Sequence, residues 1–191
     1  MTAYVICLKP TIDMTDDQFY ELCGNNPELM FERNAMGDLV IMPPVGGESG
    51  GREADVIGDL IIWNRQTLLG KVFSSSSGFK LPNGADRSPD AAWVRLDRWE
   101  ALTAAQQQKF PPLCPDFVVE IRSATDSLTA LQEKMREYIS NGAVLGLLIN
   151  PKGKQVEVYR SDQSVVVLNQ PSQVDCNPEL PGFVLNLSGI L

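Results

Sequence analysis

The sequence predicts an α/β fold, a mixed β-sheet flanked by helices. Three observations predict it. Apolar residues recur at helical spacing in two segments, 53–69 and 128–139, each closed by a glycine, Gly70 and Gly142. Short apolar runs alternate with these segments, the most continuous being Phe117-Val118-Val119-Glu120-Ile121. The resulting order is helix, three strands, a central strand, helix and paired strands.

From the N-terminus, residues 1–9 carry no clear pattern. Thr15 and Gln18 form a capping-box pair, with Met14 and Phe19 at the staple positions, so a helix starts there and should stop near Gly24. Leu29, Phe31 and Arg33, then Leu39 and Ile41, alternate around Met36-Gly37-Asp38 and predict a β-hairpin. Residues 43–51 hold four glycines and read as a flexible linker or a substrate-shaping flap. They lack the lysine and hydroxyl of a nucleotide-binding loop.

Glu53 to Leu69 reads as a helix, with Ile57, Leu60, Ile61 and Asn64 on one face. Glu53 lies one turn earlier on that face. It is either an inward-aimed carboxylate or a first-turn acid favoured by the helix dipole. Lys71–Ser75, Phe79–Leu81 and Arg87–Val94 are strands, the last carrying Asp90. Residues 95–110 form a polar excursion closed by Pro111-Pro112.

Phe117 to Arg122 is the central strand. Thr125 or Asp126 should cap the next helix, whose stripe is Leu128, Leu131, Met135, Tyr138 and Ile139, with Lys134 at its border. Val144–Ile149 and Gln155–Arg160 pair across Asn150-Pro151-Lys152-Gly153, and Val165–Leu168 follows. The tail, with Pro171, Pro178 and Pro181, should wrap the surface.

The 191 residues suit one domain. We divide it into an N-terminal helix and hairpin elaboration (1–49), a core (50–165) and a C-terminal tail (166–191). No apolar stretch is long enough to span a bilayer and no export signal is visible, so a cytoplasmic protein without a membrane partner is expected. Cys7, Cys23, Cys114 and Cys176 have no short spacing, which argues against a zinc knuckle and for reduced, mostly buried thiols. The chain has no histidine. That excludes histidine-based triads and histidine-ligated zinc. The net charge of −8 discourages loose binding to nucleic acid but leaves room for a local basic cleft.

Two acids break the apolar pattern. Asp90 follows Pro89, and Glu120 sits inside the most apolar strand. An unpaired buried charge is costly, so two such exceptions on neighbouring strands point to a shared cation. Oxygen-only ligands favour magnesium or manganese, and the carbonyl of Ile121 is a third candidate ligand. Arg122, two residues after Glu120, falls on the same face and can stabilise phosphate charge. Arginine cannot take a proton, so Lys134 is the better candidate for a nitrogen base. The plainer readings are a turn cap for Asp90, an exposed ion pair for Glu120 and Arg122, and a helix-flank lysine for Lys134. Tyr138, Trp93 and Trp99 read as packing residues, and Asp116 as the start of a strand.

Asp90 followed by Glu120-Ile121-Arg122, with Pro89 before the aspartate, resembles the PD-(D/E)XK nuclease signature. The wider text resembles the Uma2 (Uma-two) family of restriction endonucleases. It runs from Gly78-Phe79-Lys80-Leu81-Pro82 through Pro115-Asp116-Phe117 and Asp126-Ser127-Leu128. It ends at Lys134-Met135-Arg136-Glu137-Tyr138, Asn141-Gly142 and Asn150-Pro151. The resemblance implies a restriction-endonuclease-like core and metal-dependent phosphodiester hydrolysis on DNA. Asp90 and Glu120 would bind magnesium, and Glu53 would match an extra acid of the superfamily. Arg122 stands where that signature expects lysine, and Lys134 can reach in from the helix to compensate.

The expected function is therefore a magnesium-dependent DNA endonuclease. The alternative is a catalytically inactive nuclease-fold binding or regulatory module, and a carboxylate hydrolase of sugars is a third class. Enzymes that cut both strands often pair by two-fold symmetry, so a homodimer is expected.

Overall fold

The computed structural model describes residues 3–191; Met1 and Thr2 lie outside the described residues. Its element order is β1 (Tyr4–Ile6), α1 (Asp16–Asn25), β2 (Met30–Arg33), β3 (Leu39–Met42), α2 (Gly47–Thr67), β4 (Gly70–Ser74), β5 (Phe79–Lys80), β6 (Asp86–Arg87), β7 (Ala91–Arg95), α3 (Leu96–Glu100), α4 (Ala104–Gln108), β8 (Phe117–Ile121), α5 (Leu128–Ser140), β9 (Leu145–Asn150), β10 (Gln155–Arg160), β11 (Val166–Asn169), β12 (Gln173–Asp175) and β13 (Val184–Asn186). This is the α/β fold with a mixed sheet and flanking helices that the sequence predicts.

The central sheet has the order β11-β10-β9-β8-β7-β4. Only β8 and β9 run parallel, joined through α5; every other neighbour is antiparallel. Parallel strands need such a crossover, and α5 provides it. One face of this sheet packs on α2 through Val56, Leu60 and Trp63. The other packs on α5 through Met135 and Tyr138. A second sheet, β1-β3-β2-β6-β5, joins the N-terminal strands to β5 and β6 and packs on the α5 side, with Phe79 of β5 in the buried cluster that holds Met135 and Tyr138.

Several expectations change. Asp90 is not within a strand: residues 87–94 split into β6 and β7, which belong to different sheets. Pro89 lacks an N–H and cannot continue a ladder, so the chain crosses between sheets there. The glycine-rich segment is not a free loop, because α2 begins at Gly47. Ser127 caps α5, not Thr125 or Asp126. The Asp126 carboxylate is already engaged by the Ser123 N–H. The C-terminal segment does not merely wrap the surface. β12 and β13 pair, and Val174, Cys176, Leu180, Phe183, Leu185, Leu187 and Ile190 join the core beneath α2. The Thr15–Gln18 capping box forms as expected. All four cysteines are free; Cys114 and Cys176 are buried, Cys23 is half-buried and Cys7 is exposed. Among the described residues, no helix is long and apolar enough to cross a membrane.

Candidate functional site

The site sits at one end of the central sheet. Strand β8 ends there with Glu120-Ile121, and β9 with Asn150; β7 begins there just after Asp90, and β4 ends there at Ser74. Ala91 pairs with Val119, so the next step in that antiparallel register sets Asp90 opposite Glu120. Directly opposed side chains share a face. Asp90 Oδ2 also accepts the Ile121 N–H at 2.6 Å, which fixes the carboxylate at the end of β8.

The Asp90 carboxyl is pushed well above the usual carboxylate range, first by burial and then by the charge of Glu120. The Ile121 N–H and Lys134 oppose this, and Glu53 adds to it. Glu53 projects from α2 and accepts a hydrogen bond from the Ser75 hydroxyl.

Glu120 is buried, and two donors meet on its Oε1: Lys134 Nζ at 2.9 Å and the Tyr138 hydroxyl at 3.0 Å. Both come from α5, one turn apart, so one helix face presents them together. Burial raises the Glu120 carboxyl; Lys134 opposes, Glu32 reinforces, and the net shift is upward.

Lys134 also reaches Glu32 Oε1 at 2.8 Å. Burial alone would favour neutral lysine, but Glu120 and Glu32 together outweigh it and raise its pKa. Lys134 is therefore a fixed ammonium in this arrangement, which suits charge stabilisation and not proton abstraction. Burial pushes Glu32 up, but Lys134 and Arg87 outweigh it and hold that carboxyl below its ordinary value.

Glu32 is the residue that sequence reasoning missed. It comes from β2 and is 2% exposed. It accepts the Ser88 N–H at 2.9 Å, two residues before Asp90, and pairs with Arg87 Nη1 at 2.9 Å. Arg87 also pairs with Glu137 of α5 at 2.6 Å. Glu32 thus ties the segment leading into Asp90 to the ammonium that rests on Glu120. The alternation in β2 pointed the other way. It set Glu32 on the polar side, opposite Leu29, Phe31 and Arg33, yet Glu32 is buried because its partners lie on distant parts of the chain, while Leu29 is exposed.

Arg122 follows the end of β8. Its Nε donates to the Asp126 carbonyl at 3.2 Å and its Nη1 to Asn150 Oδ1 at 3.3 Å. Trp93 is core on the α2 face, against Trp63, and Trp99 packs on Phe73 at the other cluster, so both are packing residues. Asp116 accepts the Arg95 N–H and pairs with Arg98, a structural role. Two surface grooves, of about 500 and 280 Å³, are lined around Leu68 and Pro181 and around Tyr20 and Phe110; neither includes Asp90 or Glu120.

Among the described residues, no group of three or more Asp, Glu, Cys or His side chains is arranged to hold a metal ion. Two buried carboxylates remain, the charge of Glu120 helping to raise the Asp90 carboxyl, beside the backbone of Ile121. That donor set fits magnesium, which takes one or two carboxylates and keeps several waters. It does not fit zinc, which prefers nitrogen and sulfur.

The sequence matches the Uma2 family, described as "Putative restriction endonuclease", over residues 16–188. A crystal structure titled as a putative nuclease belonging to DUF820, from Anabaena variabilis ATCC 29413, has the same fold. It is 19% identical, with a TM-score of 0.78 over 93% of this chain and 97% of that one. No curated protein matches the sequence. The match over most of the chain, on a nuclease-like α/β fold with its acids at one sheet end, places this chain in the Uma2 family.

Proposed function

We propose that the chain is a magnesium-dependent endodeoxyribonuclease whose centre is Asp90 and Glu120. The observation that carries this reading is the mutual placement of these acids. Asp90 stands one residue before β7, where the register of Ala91 with Val119 carried one step on meets Glu120; its Oδ2 accepts the Ile121 N–H, and the charge of Glu120 helps raise the Asp90 carboxyl. Such a pair is stabilised by a hard cation. Magnesium held by Asp90 and Glu120, with manganese as its substitute, would polarise a phosphate oxygen and acidify a water. The chain's own residues supply the rest. The Ile121 N–H orients Asp90; its carbonyl is the backbone candidate for the ion. The Lys134 ammonium, held by Glu32, supplies positive charge beside Glu120. Arg122 adds a second cation at the strand end, and Glu53 a further acid near Asp90. Two-strand cleavage would use a homodimer.

The test is cleavage of a supercoiled plasmid with and without magnesium, comparing wild type with Asp90→Ala. Cutting that needs both the ion and Asp90 supports the proposal; equal rates in the two proteins reject it. A second reading, a binding module without catalysis, is favoured by the bonds that turn Arg122 to Asn150 and Asp126. Calorimetry separates the two, because that module would bind DNA without binding magnesium.

A further inference from the structure

Ten of the sixteen lysines and arginines form ion pairs with carboxylates among the described residues. The six without such a pair are Arg65, Lys71, Arg122, Arg136, Lys152 and Lys154. In a chain of net charge −8, a cation left without an acid is available to an anionic ligand. Three of the six, Arg122, Lys152 and Lys154, fall together at the sheet end that carries Asp90 and Glu120.

Their placement follows from the backbone. Glu120 pairs with Leu148 in the parallel register, and β9 ends two residues later at Asn150. The next three residues, Pro151–Gly153, form a tight turn, and Lys154 follows in the left-handed region at φ 49°. The side chain of Asn150 holds this turn: its Oδ1 accepts the Gly153 N–H at 3.2 Å and a bond from Arg122 Nη1 at 3.3 Å. A Cβ on Gly153 would lie 2.6 Å from Asn150 Nδ2, so the turn packs directly on that side chain. Arg122 and the lysine-bearing turn are therefore braced against one buried asparagine. Lys152 and Lys154 are exposed.

We propose that Arg122, Lys152 and Lys154 form a phosphate-contacting surface for the DNA strand that leaves the Asp90–Glu120 centre. This rests on the nuclease reading and adds to it the path of the substrate. Ligands of α/β sheets gather at the carboxyl ends of parallel strands, which here are the ends of β8 and β9. Along the chain, Lys152 lies roughly 11 Å past the level of Glu120, from two extended residues and a short turn. That is about three nucleotide steps at ~3.4 Å each. With Nε and Nη1 held by Asp126 and Asn150, Arg122 would meet the near phosphate through Nη2, and the lysines those further along. The contact is electrostatic and carries no base sequence.

The test measures binding of a fluorescein-labelled DNA duplex by anisotropy across a salt series. Calcium replaces magnesium as the hard cation, and gels verify that the duplex stays intact. The proteins are wild type, K152A/K154A, and the charge-matched control R65A/K71A. The control pair lies at the opposite end of the sheet, near the start of β4 and the end of α2. The expected result for K152A/K154A is a log–log salt slope shallower by about 1.8, with affinity at 0.1 M salt lower by tenfold or more. The control keeps the wild-type slope. A wild-type slope in K152A/K154A, or equal losses in both double variants, overturns the surface while leaving the nuclease reading standing. Absence of any DNA affinity in wild type overturns both.

Discussion

Lys134→Met replaces the buried ammonium with an uncharged side chain of similar length. In the native protein the Lys134 side chain is 12% exposed, and those of Glu32 and Glu120 are 3% and 5% exposed. Removing one partner from a buried ion pair costs about 3–5 kcal/mol. Glu32 keeps Arg87 and the Ser88 N–H, so its charge stays compensated. Glu120 keeps the Tyr138 hydroxyl but loses its cation. The loss therefore falls mainly on Glu120, and about 3 kcal/mol is the expected deficit. For a domain of this size that lowers the melting temperature by roughly 6–12 °C.

The pH dependence adds a sharper check. Glu120 already holds its proton more tightly than an ordinary glutamate, and loss of Lys134 raises that affinity further. An acid whose folded pKa exceeds its unfolded value stabilises the fold as pH falls through the folded pKa. The variant's deficit should therefore shrink as the solution is acidified from about pH 8 towards about pH 5. Thermal melts followed by circular dichroism at constant ionic strength measure both quantities. A deficit below about 1 kcal/mol, or one unchanged by pH, would refute the assignment of Lys134 as the cation that compensates Glu120.

Three further outcomes follow from the same geometry. Divalent-ion affinity, measured by calorimetry, should fall as pH drops through the raised Asp90 pKa, because the ion requires the carboxylate; a normal aspartate would show this loss only near about pH 4. Phe183→Ala should cost about 3–5 kcal/mol in urea unfolding, because this ring is buried against Trp63 and Phe117. Gly70→Ala should be destabilising by about 1–3 kcal/mol, since its Cβ would sit 2.2 Å from the Val94 carbonyl oxygen. Gly146→Ala should cost less, since the nearest atom, at 2.4 Å, is the flexible end of Met135.

What was legible in the sequence was local. The Thr15 capping box, the apolar run of β8, the stripe of α5 and the 150–153 turn are patterns within a few residues, and each forms. The two acids were visible because they break an apolar pattern. Glu32 was not visible: its neighbours in β2 suggested a polar outer face, and its partners Arg87, Ser88 and Lys134 arrive only when three separate elements assemble. The C-terminal segment was misjudged for a related reason. Its prolines read as surface, while Phe183, Leu185 and Leu187 find their contacts beneath α2, which is remote in sequence. The glycines at the start of α2 disfavour a helix locally, and tertiary packing overrides that preference.

The central claim is that Asp90 and Glu120 hold one divalent ion between them. Diffraction from crystals soaked in manganese, using its anomalous signal, measures this directly. The expected result is one manganese peak bonded to an oxygen of each carboxylate. Saturating manganese that leaves this gap empty, with Lys134 still resting on Glu120 Oε1, would contradict it.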